Sequence, residues 1–184
     1  IESLEAAGIK VVASESADID GVFEAIGLIG TITGKDDAAA GVIDSMRNTF
    51  DELSEKVPEG GGGTIYFEVS PLEYGLWAAG SGTFMEELAD ILGLENIFAD
   101  TEGWAQVSEE QVINRDPDYI VTTTMSFEGA PDPVEEIKTR AGWENITAVT
   151  NGSIINDSSS MMVRPGPRLA DAARALYNFV YGGQ

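Results

Sequence analysis

The 184-residue chain has no cysteine and no histidine. This excludes thiol nucleophiles, Ser–His–Asp triads and the usual Cys/His zinc sites. Cations are scarce as well, with 10 Lys and Arg against 32 Asp and Glu, a formal charge of −22. A field of that sign repels phosphate backbones and anionic membrane surfaces, so no nucleic-acid partner is expected. No apolar run reaches the roughly 18 residues of a membrane-spanning helix, and no signal peptide is visible. Low-complexity sequence is confined to GGGG at 60–63, and there is no internal repeat. What remains is an acidic α/β domain with few specialised side chains.

The chain opens on IESLEAAGIKVVAS, where a glycine follows a short helical end and leads into the apolar run Ile9 to Ala13. This reads as the helix-to-strand step of a layered α/β protein, entered part-way. From Asp18 to about Gly34, Val22, Ile26 and Ile29 recur at helical spacing, and Gly34 supplies the stop. A second helix is expected from Asp36 to about Val57, with Ala39, Val42, Ile43, Met46, Phe50 and Leu53 on one face. At 1.5 Å per residue it is roughly 30 Å long, enough to link two lobes. Pro58 and the glycine run form the clearest boundary.

Beyond that boundary the period changes. TIYFEVS (64–70), DYIVTTT (118–124) and SIIND (153–157) read as strands. Helices are expected at about 83–93, at 108–115 with Ser108 and Gln111 as a capping box, at 132–140 with Pro133 in the first turn, and from Pro167 to about Tyr181. PLEYGLWAAGSG, between the first strand and helix, reads as irregular. The alternation gives an α/β sandwich.

GSGTFMEELADILGLENIF (80–98) sets a glycine loop before a helix, the arrangement of a phosphate cradle. It lacks both the Lys-Ser/Thr of a P-loop and the GxGxxG spacing, and Glu86 and Glu87 in its first turn repel phosphate. A tight turn capped by Thr83 is the better reading. The many carboxylates read as a solvated surface, no pair of them being singled out for acid–base chemistry. Trp77 and Trp104 stand on apparent loops at one edge of the layer, either lining a ligand surface or covering the core. Trp143 reads as core packing at a helix end. Met161 and Met162 offer soft apolar contacts beside RPGPR, and Arg164 is a rare cation that could pair with a ligand anion or a neighbouring carboxylate.

Four segments in order resemble one family, the substrate-binding proteins of ABC importers for vitamin B12, iron–siderophore complexes and haem. IGLIGTITGKDDAA is similar to the turn into that family's linking helix. It is followed by GSGTFMEELADILGLENIF, by WAQVSEEQVINRDPDYIV, and by WENITAVTNG leading to RPGPRLADAARAL. The resemblance implies a three-layer α/β/α lobe of a two-lobed periplasmic-binding-protein fold with a long linking helix. Residues 1–34 would be the end of a mostly absent N-terminal lobe, 35–58 the linking helix and 63–184 the C-terminal lobe. A signal or lipoprotein signal would lie upstream.

The resemblance further implies ligand contacts at Trp77, before the glycine loop, at Trp104, before QVSEEQ, and in a strip at Met161, Met162 and Arg164. Flat aromatic faces suit a corrin or a catecholate, burying large area at little rotamer cost. Met161-Met162-Val163 stands where cobalamin binders can carry an aromatic and acidic pair, which keeps a siderophore open beside cobalamin. In a haem-binding member Tyr74 would ligate iron. Glu110, with Glu109 as its neighbour, falls at the acidic residue through which such a lobe docks on its permease. The implied protein is extracytoplasmic and not an enzyme, with no cofactor or bound metal of its own. It touches the membrane only through an upstream lipid anchor, and its partners are a metal chelate and an ABC importer permease. Two rivals are a nitrogenase-type or chelatase-like metal-cofactor protein, which needs the absent Cys or His, and a ligand-sensing module for a signalling receptor.

Overall fold

Caps decide where the first helices begin and end. The computed structural model describes residues 1–125, 129, 131–157 and 159–182. A short helix α1 (Glu2–Ala6) precedes α2 (Ile19–Thr33). The Asp18 carboxylate accepts from the Gly21 amide at 2.7 Å to start α2, and Gly34 closes it in the left-handed region at φ 64°. Helix α3 (Asp36–Glu55) packs on α2 at Gly30, where a Cβ would lie 2.5 Å from that of Ala39. Of the expected face of α3, Ala39, Met46, Phe50 and Leu53 are buried and Ile43 is partly buried, but Val42 is exposed.

The run Ile9 to Ala13 is not a buried strand. Ile9 and Val12 are 52% and 58% exposed, and among the described residues no strand pairs with this segment. An apolar run becomes a strand only where a neighbour satisfies its amides and carbonyls. The sheet here is built wholly from residue 63 onward.

Its strands are β1 (Gly63–Ser70), β2 (Trp77–Ala79), β3 (Leu94–Asn96), β4 (Trp104–Gln106), β5 (Tyr119–Thr122) and β6 (Ile154–Asn156). A 3-10 turn, Leu72–Tyr74, separates β1 from β2. The order is β4-β2-β1-β5-β6, with β3 pairing the start of β1. Strands β3, β1, β5 and β6 are parallel, and β2 and β4 antiparallel to their neighbours. The helices are α4 (Phe84–Ile91), α5 (Glu109–Arg115), α6 (Pro133–Lys138), α7 (Thr147–Asn151) and α8 (Leu169–Tyr181). The capping box of α5 and the Pro133 start of α6 form as expected. Strands β2 and β4 correct the reading of 71–82 and of the Trp104 segment as irregular. Elements of three residues are too short to carry a recognisable period.

Strand β1 is covered on both faces, with Ile65, Tyr66 and Phe67 fully buried. Ile65 and Phe67 face the layer of α2, α3, α4 and α8. Tyr66 faces the layer of α5, α6 and α7, where Val112, Ile137, Trp143 and Ile146 pack. The three layers of the α/β/α arrangement are therefore present. Each large side chain so buried contributes roughly 1.5–3 kcal/mol. Ile19, Val22 and Ile26 of α2 share a core with Leu88 of α4 and Leu169 of α8, so packing continues across Gly34 and Pro58. The Ile19 amide also donates to Glu87 Oε2 at 2.6 Å, tying α2 to α4.

Candidate functional site

Parallel strands end together, and the crevice beyond their carboxyl ends is where open α/β sheets bind ligands. Here β1 and β5 end at Ser70 and Thr122. Beyond them lies a groove of about 630 Å³. One wall is Val69, Pro71 and the turn carrying Leu72, Glu73 and Tyr74; the other is Thr123 to Met125. Pro131, Pro133 and Glu136 form its rim on the α6 side. Tyr74 and Met125 are 73% and 66% exposed, large apolar surfaces left open to a ligand.

A buried ionic network lies against this groove. Glu68, the residue before Val69, is 1% exposed and receives two bonds from Arg140, Nη1 to Oε2 at 2.6 Å and Nη2 to Oε1 at 3.0 Å. Arg140 Nη2 also donates to Glu136 Oε2 at 2.6 Å, while its guanidinium stacks over Trp143 at 4.5 Å. Trp143 Nε1 then donates to Glu109 Oε2 at 3.1 Å. Burial pushes the Glu68 carboxyl up, against the bonds from Arg140 and Thr122 that favour its charged form. Sequence reasoning misses this pair. Its signal lies in TIYFEVS, where Glu68 shares a face with buried Tyr66 on a central strand and must find a cation.

Of the anticipated contacts, Tyr74 lines the groove. Trp77 opens β2 and pairs with Ser70, at the same end of the sheet. Trp104 pairs with Ala79, two residues further along, and meets Phe84 edge-on at 5.5 Å. Both tryptophans stand on strands, with Ala79 and Phe84 on the α4 side, so neither lines the groove, and Trp104 lies further from it than Trp77. They are 38% and 42% exposed. Beyond β6 the strip 161–164 is pinned by Asp157, whose Oδ2 accepts from the Met162 amide at 2.6 Å and whose Oδ1 accepts from the Ser159 amide at 3.1 Å. This turns Met162 into the core at 2% exposure, leaves Met161 half-buried, and exposes Val163 and Arg164. Glu110 is exposed in the first turn of α5, away from the groove lining.

The glycine loop 80–82 is structural. Gly80 lies so near the following loop that a Cβ would stand 2.0 Å from the Thr101 carbonyl oxygen. The Gly80 and Ser81 amides donate to the carbonyls of Gly103 and Thr101, each at 2.8 Å, and Thr83 caps α4 by accepting from the Glu86 amide. The described residues contain no cluster of acidic side chains placed to hold a metal ion.

The sequence model of a family described as periplasmic binding protein matches residues 1–160. An uncharacterised ABC transporter substrate-binding lipoprotein, YvrC of Bacillus subtilis, is 28% identical over 98% of this chain and 57% of its own length. A cobalamin-binding protein of Halobacterium salinarum is 32% identical over 94% of this chain and 49% of its own. The chain thus spans about half the length of these curated relatives. Among solved structures, a protein described as a possible iron-binding, periplasmic solute-binding protein from Staphylococcus epidermidis superposes with a TM-score of 0.83 at 31% identity. That match covers 98% of this chain and 69% of the other.

Proposed function

The chain belongs to the periplasmic binding protein family, and from that premise we propose that it forms a ligand-binding lobe of an extracytoplasmic solute-binding protein. The protein captures a metal chelate of the cobalamin or iron–siderophore type and delivers it to the permease of an ABC importer. The observation carrying this reading is the groove at the carboxyl ends of β1 and β5, walled by Tyr74 and Met125 and flanked by Trp77. Relatives described as cobalamin-binding and iron-binding support the ligand class.

Binding is the whole of the activity in this reading. Tyr74, Met125 and Trp77 contribute apolar area to a large flat ligand, with Met161 and Arg164 as outer contacts beyond β6. Met162 supports them from the core. Glu110 meets a cation on the permease, where a rim charge sets orientation and encounter rate more than affinity. Among the described residues no helix is long and apolar enough to cross a membrane.

The test is a fluorescence titration of the full natural protein with cyanocobalamin and with ferric siderophores. Saturable quenching by at least one is expected, because Trp77 is 38% exposed at the end of the sheet that carries the groove. No saturable response to any of them overturns the proposal.

A further inference from the structure

The charge lining the groove is unbalanced. It contains Glu73 and Glu136 and, among the described residues, no lysine or arginine. Between Lys56 and the α6 end of the groove the sequence has three cations, Arg115, Lys138 and Arg140, and each is paired with a carboxylate. Arg115 grips Asp100 with bonds of 2.7 and 2.9 Å. Lys138 holds Glu135 at 2.8 Å. Arg140 is 2% exposed and divided between two carboxylates, Glu68 and Glu136. A guanidinium so buried and so paired is out of reach of a ligand anion, and the Glu68–Arg140–Glu136 group with all members ionised is net negative. Arg164 is exposed beyond β6, outside the groove lining.

We infer that this groove selects metal chelates that are neutral or positively charged and rejects polyanionic ones, an inference that rests on the function proposed above. The whole chain acts in the same sense, its charge of −22 repelling anions during approach. A polyanion entering the groove would meet Glu73 and the exposed edge of Glu136 in a partly desolvated crevice, where like charges facing each other oppose binding strongly. A neutral or cationic chelate meets the Tyr74 ring, the Met125 thioether and the two carboxylates without that opposition.

The experiment compares three probes on the full natural protein by calorimetry: uncharged cyanocobalamin, the cationic ferric trihydroxamate ferrioxamine B, and a ferric triscatecholate with three negative charges. The expected result is that one of the first two binds at least about ten-fold more tightly than the triscatecholate in low salt. The gap should narrow as salt is raised and in a Glu73→Gln/Glu136→Gln variant, whose second amide keeps an oxygen for Arg140. The salt series requires no mutant. Triscatecholate binding equal to or tighter than the others overturns the charge inference and leaves the transport reading standing. Failure of all three to bind overturns both.

Discussion

Glu68 and Arg140 form a two-pronged ion pair sealed between β1 and α6, with N–O distances of 2.6 and 3.0 Å and side chains 1% and 2% exposed. Burying two charges is costly and is repaid only when every lone pair and proton is placed. Glu136 and the Trp143 ring complete that placement around Arg140. Removing one partner strands the other. Arg140→Met is expected to cost about 3–5 kcal/mol in urea unfolding, and Glu68→Gln a smaller part of that because it keeps an acceptor. Glu136→Gln, at a 37% exposed carboxylate, should cost about 1 kcal/mol or less. Similar losses for all three would show that the buried pair has no special place.

Stability should rise on mild acidification. Burial raises the Glu87 carboxyl above its ordinary 4.5, helped by Asp18, Asp20 and Asp90 and opposed by the Ile19 amide. Glu86 is raised by burial too. A carboxyl whose folded value is raised holds its proton better when folded. Its stabilising share is complete below the unfolded value and is lost as pH rises through the folded one. Relief of the −22 self-repulsion acts in the same direction. Asp100, lowered by Arg115, loses its contribution only below the ordinary carboxylate range. In low salt, Tm is expected to be higher at about pH 5.5 than at about pH 8, with a smaller gap for Glu87→Gln and in high salt. A Tm that falls between those two values on acidification contradicts this.

The two half-exposed tryptophans should separate by readout. Trp77→Ala in the full natural protein is expected to weaken chelate binding by roughly 1–3 kcal/mol with little change in folding. Trp104 packs edge-on against buried Phe84, so Trp104→Ala should also lower unfolding stability, by about 1 kcal/mol. Titration and denaturation of both variants decide it. Unchanged affinity in both removes them from the ligand surface.

Much of this was legible in the sequence, because strong local signals coincide with the fold. Asp18 and Gly34, the Ser108–Gln111 capping box and Pro133 each mark a helix end by chemistry that acts within a few residues. The segment order carried the family. What was not legible depended on distant partners. Ile9 to Ala13 looks like a strand until the absence of a paired neighbour among the described residues decides otherwise. Met162 and Met161 are equivalent in type, and only the Asp157 turn sends one inward. Arg140 carries no local mark of burial, because its buried partner Glu68 comes from 72 residues away on β1.

Glu110 offers a test that separates docking from binding. It is exposed in the first turn of α5, where a carboxylate also favours the helix N-terminus by a few tenths of a kcal/mol. Its neighbour Glu109 is occupied by the Trp143 indole, which leaves Glu110 as the outward-facing charge of the pair. Glu110→Ala should leave chelate affinity unchanged and reduce importer-dependent uptake in cells. Glu110→Asp should retain part of that uptake, whereas Glu109→Ala should act mainly on stability by freeing Trp143. Unimpaired uptake with Glu110→Ala would sink the docking role and leave the groove assignment untouched, because no groove residue is altered.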